Sequence, residues 1–222
     1  MMQATALRGL VLVAATALGC GTAEPPMQSA AETPVEAAVK APAETPVERW
    51  EAYLEAHNAG LADDMLALYT EDAVFAIPTV GELRGTEQLR DLVAWDVANH
   101  GQLHCEGYAV SGDQLTIEQV TESNDWFRAI GVETVHYQPG TRVVFREGLL
   151  AEVRPAPFTE ESAKAVEAAF GPFMAWASTH PDKPLESLLP GGKFAYSKQS
   201  AERWQAWFGT WHATQEAAPD PE

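Results

Sequence analysis

The chain has 222 residues, 46% of them hydrophobic and 9% aromatic, so it can bury one sizeable core and is too short for two full domains. Lys and Arg number 14 against 32 Asp and Glu, a net charge of −18, and no basic stripe interrupts the acidic background. Such a surface repels phosphate backbones and anionic headgroups, which excludes nucleic-acid binding and leaves most of the acidity as solvated surface.

At the N-terminus, Arg8 precedes an apolar run from Gly9 to Leu18 and small residues follow, the layout of a secretory signal over residues 1–19. The run is shorter than the roughly 20 apolar residues that a membrane-spanning helix needs. "ALGC" at Ala17 to Cys20 resembles the bacterial lipoprotein cleavage box, which predicts lipidation (palmitate) on Cys20 and a protein exported to the cell envelope. Cleavage after Ala23 is the alternative, and it would release a soluble periplasmic protein. Residues 20–45 repeat "AETPVE" at Ala31 to Glu36 and at Ala43 to Glu48 in an Ala/Pro/Glu-rich background. That composition has too little apolar surface to offset the entropy of ordering it and predicts a disordered linker. With Cys20 acylated, Cys105 has no disulfide partner and reads as a small buried hydrophobe.

From Pro46 the pattern becomes helical. Thr45 suits an N-cap, Pro46 the first helical position, and Glu48 stands three residues after the cap. Trp50, Tyr53, Leu54 and His57 form one stripe of this first helix, which stops at "NAG", Asn58 to Gly60. A second short helix carries Leu61, Met65, Leu68 and Tyr69, and the period then switches to alternation in a strand from Ala73 to Ile77. A third helix is expected from Thr86 as N-cap, burying Leu89, Leu92, Val93 and Val97 and ending before Gly101.

Strands dominate thereafter: Leu103 to Val110, Gln114 to Glu122, Glu133 to Tyr137, Thr141 to Arg146 and Leu149 to Arg154, separated by "SGD", "QPG" and "EG" turns. "SNDWFRAIG" between two of them reads as a short helix capped by Ser123 or Asn124. Helices gathered first and strands later predict an α+β fold, helices packed on one face of a curved antiparallel sheet.

"YLEAHNAGLADDMLALYTEDAVFAIPTVGELRGTEQLRDLV", closed by "VVFREGLLAEVRP", resembles the nuclear-transport-factor-2-like superfamily, especially its SnoaL-like branch, over Val47 to about Pro155. The resemblance implies a cone-shaped domain over residues 46–158, with helices wrapping a strongly bent sheet around a largely apolar pocket. Ketosteroid isomerases share that fold. Their enolate-binding phenol falls on Tyr53, but their proton-shuttling carboxylate falls on Ile77, which cannot accept a proton. The acid-base carboxylate of the SnoaL-like cyclases would lie near "RPAPFTEE", where Glu160 is the first acid.

Other wall groups must then supply any chemistry. Along "LTIEQVTES", Leu115, Ile117 and Gln119 face one side while Thr116, Glu118, Val120 and Glu122 face the other. A Glu118 turned into the cone would be a desolvated general base; turned outward it is one more surface charge. The catalytic candidates are Tyr53, Glu118 and His136. The ligand-binding candidates are His57, Tyr69, Phe75, Ile77, Trp95, Asn124 and Trp126. His100 and His104 stand four apart across a helix end with no third ligand, so no metal and no cofactor are expected.

Residues 159–214 read as a helical C-terminal extension. Thr159 caps a helix to about Ser178 that Gly171-Pro172 kinks or divides, and a last helix carries Trp204, Trp207, Phe208 and Trp211 on one stripe. That stripe predicts docking on the sheet or the third helix, with a dimer contact or a lid as alternatives. Residues 215–222 form a polar tail expected to be disordered. Three readings follow. The first is an envelope-anchored domain holding a small hydrophobic molecule. The second is an acid-base isomerase, dehydratase or cyclase acting on such a molecule. The third is a scaffold that forms a homodimer through its sheet.

Overall fold

A computed structural model describes residues 45–78, 80–180 and 185–216. The expected signal, the Cys20 lipidation site, most of the linker and the end of the tail lie outside the described residues.

Helix α1 spans Pro46–Asn58 and starts as its sequence requires. The Thr45 hydroxyl accepts from the Glu48 N–H at 3.2 Å while the Glu48 carboxylate accepts from the Thr45 N–H at 2.7 Å, a complete capping box with Pro46 in the first turn. Helix α2, Ala62–Ala67, is a turn and a half that buries Met65 completely. Strand β1, Tyr69–Ile77, begins four residues earlier than the alternation indicates, so Tyr69 belongs to the sheet rather than to the helical stripe. A short strand β2, Gly81–Arg84, folds back on β1 and leads into helix α3, Gly85–Ala98. The N-cap of α3 is Arg84, not Thr86; its N–H is satisfied by the Gln88 side chain at 2.8 Å.

Strands β3, Gln102–Ser111, and β4, Gln114–Ser123, form a long hairpin; helix α4, Asp125–Ala129, follows with Asn124 accepting from the Phe127 N–H at 2.9 Å. Of the strand expected over Glu133 to Tyr137, only β5, Val135–His136, pairs with β4. Strands β6, Thr141–Arg146, and β7, Leu149–Arg154, meet in a two-residue turn in which Glu147 and Gly148 both take positive φ, 54° and 80°.

The sheet order is β2-β1-β7-β6-β4-β3, and the sheet is curved and unclosed. The α+β architecture therefore holds, but the sheet is mixed: β1 runs parallel to β7 while the remaining pairs are antiparallel. Helices α1, α2 and α3 pack against it, α1 on β3 and β4, α2 and α3 on β1.

Helix α5, Glu160–Thr179, is capped by Thr159 and runs through Pro172 undivided. Phe170 and Phe173 on either side of the proline both pack on Trp204 of helix α6, Lys198–Glu216, and this packing offsets the missing hydrogen bond at the proline. Trp204, Trp207 and Phe208 are buried, so the aromatic stripe of α6 faces inward onto α3, α4 and α5. Polar bolts fix the same seam: Gln205 donates to the buried Asn99 side chain at 3.0 Å, and the His212 Nε2 meets the Ala129 carbonyl at 2.7 Å.

The buried residues form two apolar clusters. One lies between α1, α2, α3 and the sheet; the other lies between α3, α4, α5 and α6. Tyr137 and Tyr196 are packed against both.

Candidate functional site

A cavity of about 540 Å³ opens where the two clusters meet. Helix α1 contributes Trp50, Tyr53 and His57, and α3 contributes Leu92, Trp95 and Asp96. The sheet contributes Phe75, Ile77, Val120 and Glu122; Asn124, Trp126 and Tyr137 close one side. The C-terminal segment completes the wall with Ala163, Val166, Phe194 and Tyr196. Its volume suits a molecule of drug-like size. Among the described lining residues there is no Lys or Arg, so nothing cationic offsets an anionic ligand.

Two carboxyl groups stand on this otherwise apolar wall. Asp96 follows the stripe Leu89, Leu92, Val93 around α3, so the helical period that buries those three turns Asp96 inward as well. A quarter of its side-chain surface, 24%, is exposed, and the residue lines the cavity. Burial, reinforced by the nearby Glu122 charge, pushes the Asp96 carboxyl well above its ordinary range. Glu122 is also raised by burial, but two donors oppose the shift: the Tyr137 hydroxyl donates to its Oε2, and Asn124 Nδ2 donates to its Oε1 at 2.7 Å. Among the described residues Asp96 has no such donors. The two carboxyl groups thus sit in unlike surroundings: the donors on Glu122 favour its ionising before Asp96 does.

His57 completes the polar group. Its ring packs against Gly101, where a Cβ would come within 3.2 Å of Cε1. The Asn58 amide is fixed by the backbone of Leu103, accepting from its N–H at 2.8 Å and donating to its carbonyl at 2.9 Å. The Oδ1 of Asn58 is therefore an acceptor, and His57 Nδ1, 3.2 Å away, must be the protonated nitrogen. Burial lowers the pKa of His57, so the neutral ring turns an unprotonated Nε2 toward Asp96 Oδ2 at 3.8 Å. Tyr53 lines the cavity, but its hydroxyl is engaged by Tyr69, which lies behind it with ring centroids 5.6 Å apart.

Of the residues that the sequence singles out, His57, Phe75, Ile77, Trp95, Asn124, Trp126 and Tyr53 all line the cavity. Tyr69 is buried but does not line it. Glu118 and His136 are exposed on the outer surface and stand apart from it. Strict alternation along β4 fails because the strand pair reverses its faces at Gly107, which has a φ of +74°. Leu115 and Ile117 point inward before the reversal, Val120 and Glu122 after it. The Glu118 side chain folds over Gly107, where a Cβ would lie 2.9 Å from its own Cβ. His136 turns outward because its neighbour Val135 is fully buried. Asp96, Glu122, Tyr137 and Tyr196 are the polar wall groups that sequence reasoning missed.

Cys105 is buried and its thiol is pushed up to about 11 by burial, which leaves it unreactive near neutral pH. Glu160 is exposed at the start of α5 and pairs with Lys164. His100 and His104 pair with Asp125 and Glu106 respectively.

Residues 50–154 match the family profile described as the SnoaL-like domain. No curated protein matches the chain in sequence. Among solved structures, SalBIII, an epoxide hydrolase/cyclase-like enzyme of pyran ring formation in salinomycin, is 13% identical. That match covers 53% of this chain and 92% of SalBIII, with a TM-score of 0.47. A Mycobacterium tuberculosis protein in complex with estradiol-17β-hemisuccinate is 16% identical over 54% of this chain and 98% of its own, with a TM-score of 0.44. A computationally designed 17-OHP binder gives 16% identity, 54% and 97% coverage, and a TM-score of 0.44.

Proposed function

We propose that the SnoaL-like domain at residues 50–154, together with the C-terminal helices that close its cavity, is an acid-base catalyst acting on a small, neutral, hydrophobic carbonyl compound. It would work as an isomerase, dehydratase or cyclase. The observation that carries this reading is the carboxyl pair. Asp96 and Glu122 share the wall of an apolar cavity, and Glu122 alone of the two accepts from Tyr137 and Asn124 among the described residues. A site that only held an apolar ligand would have no use for two half-buried acids, each of which costs stability when it ionises.

In this reading the Glu122 carboxylate removes a proton from carbon next to the substrate carbonyl. Asp96 donates a hydrogen bond, or its proton, to the oxygen on which charge develops. Tyr137 and Asn124 hold Glu122 in place and keep it ionised; His57 Nε2, 3.8 Å from Asp96 Oδ2, stands where a small approach lets it take the Asp96 proton. In an isomerisation the proton on Glu122 returns to a different carbon. In a dehydration it remains on Glu122 until solvent takes it, while the proton of Asp96 leaves with the departing hydroxyl as water.

The reading is tested without knowing the natural substrate. In heavy water the protein should speed deuterium incorporation into the benzylic α-position of β-tetralone, a neutral bicyclic ketone. Replacing the base in Glu122→Gln should remove ~10²–10⁴-fold of that acceleration. An exchange rate no faster than buffer with the wild-type chain would overturn the proposal.

The anchor predicted from the N-terminal sequence belongs to the same proposal: Cys20 carries a lipid and tethers the cavity domain to the bacterial envelope through residues 21–45. Incorporation of labelled fatty acid by the wild type and its loss in Cys20→Ala would support it; label retained in Cys20→Ala would refute it.

A further inference from the structure

We propose that the C-terminal segment supplies a substrate-binding group of its own: the Tyr196 hydroxyl donates a hydrogen bond to the carbonyl oxygen of the ketone held between Asp96 and Glu122. This rests on the acid-base reading of the site and goes beyond it, because Tyr196 lies outside the matched domain of residues 50–154.

Tyr196 lines the cavity together with both carboxyl groups. Its ring meets Trp95, the residue before Asp96, edge-on with centroids 5.7 Å apart and planes at 81°. On its other side it packs on Phe194 at 5.1 Å; Phe194 in turn sits edge-on to Trp95 at 4.9 Å and stacks on Trp204 of α6 at 5.5 Å. The strap that carries Tyr196 is thus fixed to α3 and α6 at once, and it places a phenol over the same stretch of wall as Asp96.

Three tyrosines line the cavity, and two of their hydroxyls are already committed. Tyr53 bonds Tyr69, and Tyr137 donates to Glu122. Among the described residues the Tyr196 hydroxyl makes no hydrogen bond, which leaves it for a ligand. Burial and the two neighbouring acids raise its pKa, so it stays an O–H donor rather than a phenolate. A donor beside a base and an acid, in a pocket that offers no cation, fits a carbonyl oxygen rather than a carboxylate or phosphate.

The test uses the full chain and β-tetralone carrying carbon-13 at its carbonyl. The bound ketone should show a downfield carbonyl resonance in the wild type, part of which is lost in Tyr196→Phe. The dissociation constant should rise roughly 3–10-fold, as expected for one neutral hydrogen bond, with the melting temperature unchanged. Tyr137→Phe serves as a contrast: it should leave the carbonyl resonance in place and alter the pH dependence of exchange instead. Tyr196→Phe with unchanged affinity and unchanged carbonyl resonance overturns this inference. If Glu122→Gln still abolishes exchange in that case, the acid-base reading survives alone. A wild-type chain that neither binds nor exchanges the ketone overturns both.

Discussion

His57 Nε2 lies 3.8 Å from Asp96 Oδ2, and the direction of any proton between them is set by the neighbouring Asn58 amide. Leu103 fixes the Asn58 amide, Asn58 fixes the proton on Nδ1, and Nε2 is left bare toward the acid. The hold of the Leu103 backbone on the Asn58 side chain, between α1 and β3, therefore decides which His57 nitrogen faces Asp96.

Replacing Asp96 with Asn should stabilise the protein at neutral pH. The carboxyl is raised in the folded state, so below its ordinary value of 3.8 it costs nothing relative to the unfolded chain. As the pH climbs from there, the unfolded chain releases a proton that the folded chain retains, and stability is lost up to the folded pKa. Asp96→Asn removes that loss, with the melting temperature rising ~2–4 °C for each kcal/mol relieved in a chain of this size. Thermal unfolding from pH 4 to pH 8 checks it: the gap between variant and wild type should widen as the pH rises. A gap constant across the range would deny Asp96 its raised pKa.

Tyr137→Phe should shift the acidic limb of the pH-rate profile for deuterium exchange to higher pH. The Tyr137 hydroxyl donates to Glu122 and holds the carboxyl down against its burial, so removing it lets the pKa climb and leaves less base at a given pH. The plateau at high pH should be nearly retained, since the base itself remains. A uniform drop at every pH, with the limb unmoved, would assign Tyr137 another role.

Gly107→Ala should destabilise the fold by about 1–3 kcal/mol, because the position demands positive φ and its new methyl would press on Glu118 Cβ. Glu118→Ala, by contrast, removes an exposed side chain and should stay within about 0.5 kcal/mol of wild type. Urea unfolding of the two variants checks both. A Gly107→Ala chain as stable as the wild type would show that neither the positive φ nor the Glu118 Cβ makes Gly107 necessary.

Trp204→Ala should cost about 3–5 kcal/mol, as a fully buried indole at the centre of the second cluster. Because Trp204 stacks on Phe194, the same change should also loosen the strap carrying Tyr196 and weaken β-tetralone binding. Calorimetry and a ligand titration on one preparation check both. Affinity unchanged in a folded variant would show that the strap holds its place without α6.

Much of this molecule could be read from residue order. Thr45, Pro46 and Glu48 announce α1, Thr159 announces α5, and the "EG" between β6 and β7 fixes that hairpin, because each is a local rule acting within a few residues. The parallel pairing of β1 with β7 leaves no such mark, since it joins segments about 80 residues apart, and the sheet is mixed where alternation alone suggested antiparallel. The acids were hidden for two different reasons. Asp96 looks like Asp91 in composition, yet only Asp96 continues the stripe of Leu89, Leu92 and Val93, a signal present in the sequence and outweighed by the general acidity of the chain. Glu122 was screened by a strand that changes faces. Its clue was a glycine in mid-strand, informative only once the register opposite Glu118 is known.

Carboxyl carbon-13 NMR titration of Asp96 and Glu122, assigned through Asp96→Asn and Glu122→Gln, measures directly whether one cavity wall holds an acid and a base side by side. Asp96 should keep its proton to a higher pH than a solvated carboxyl does, and Glu122 should lose its own first. Both groups ionising together in the ordinary carboxylate range, as solvated surface acids do, would contradict the account.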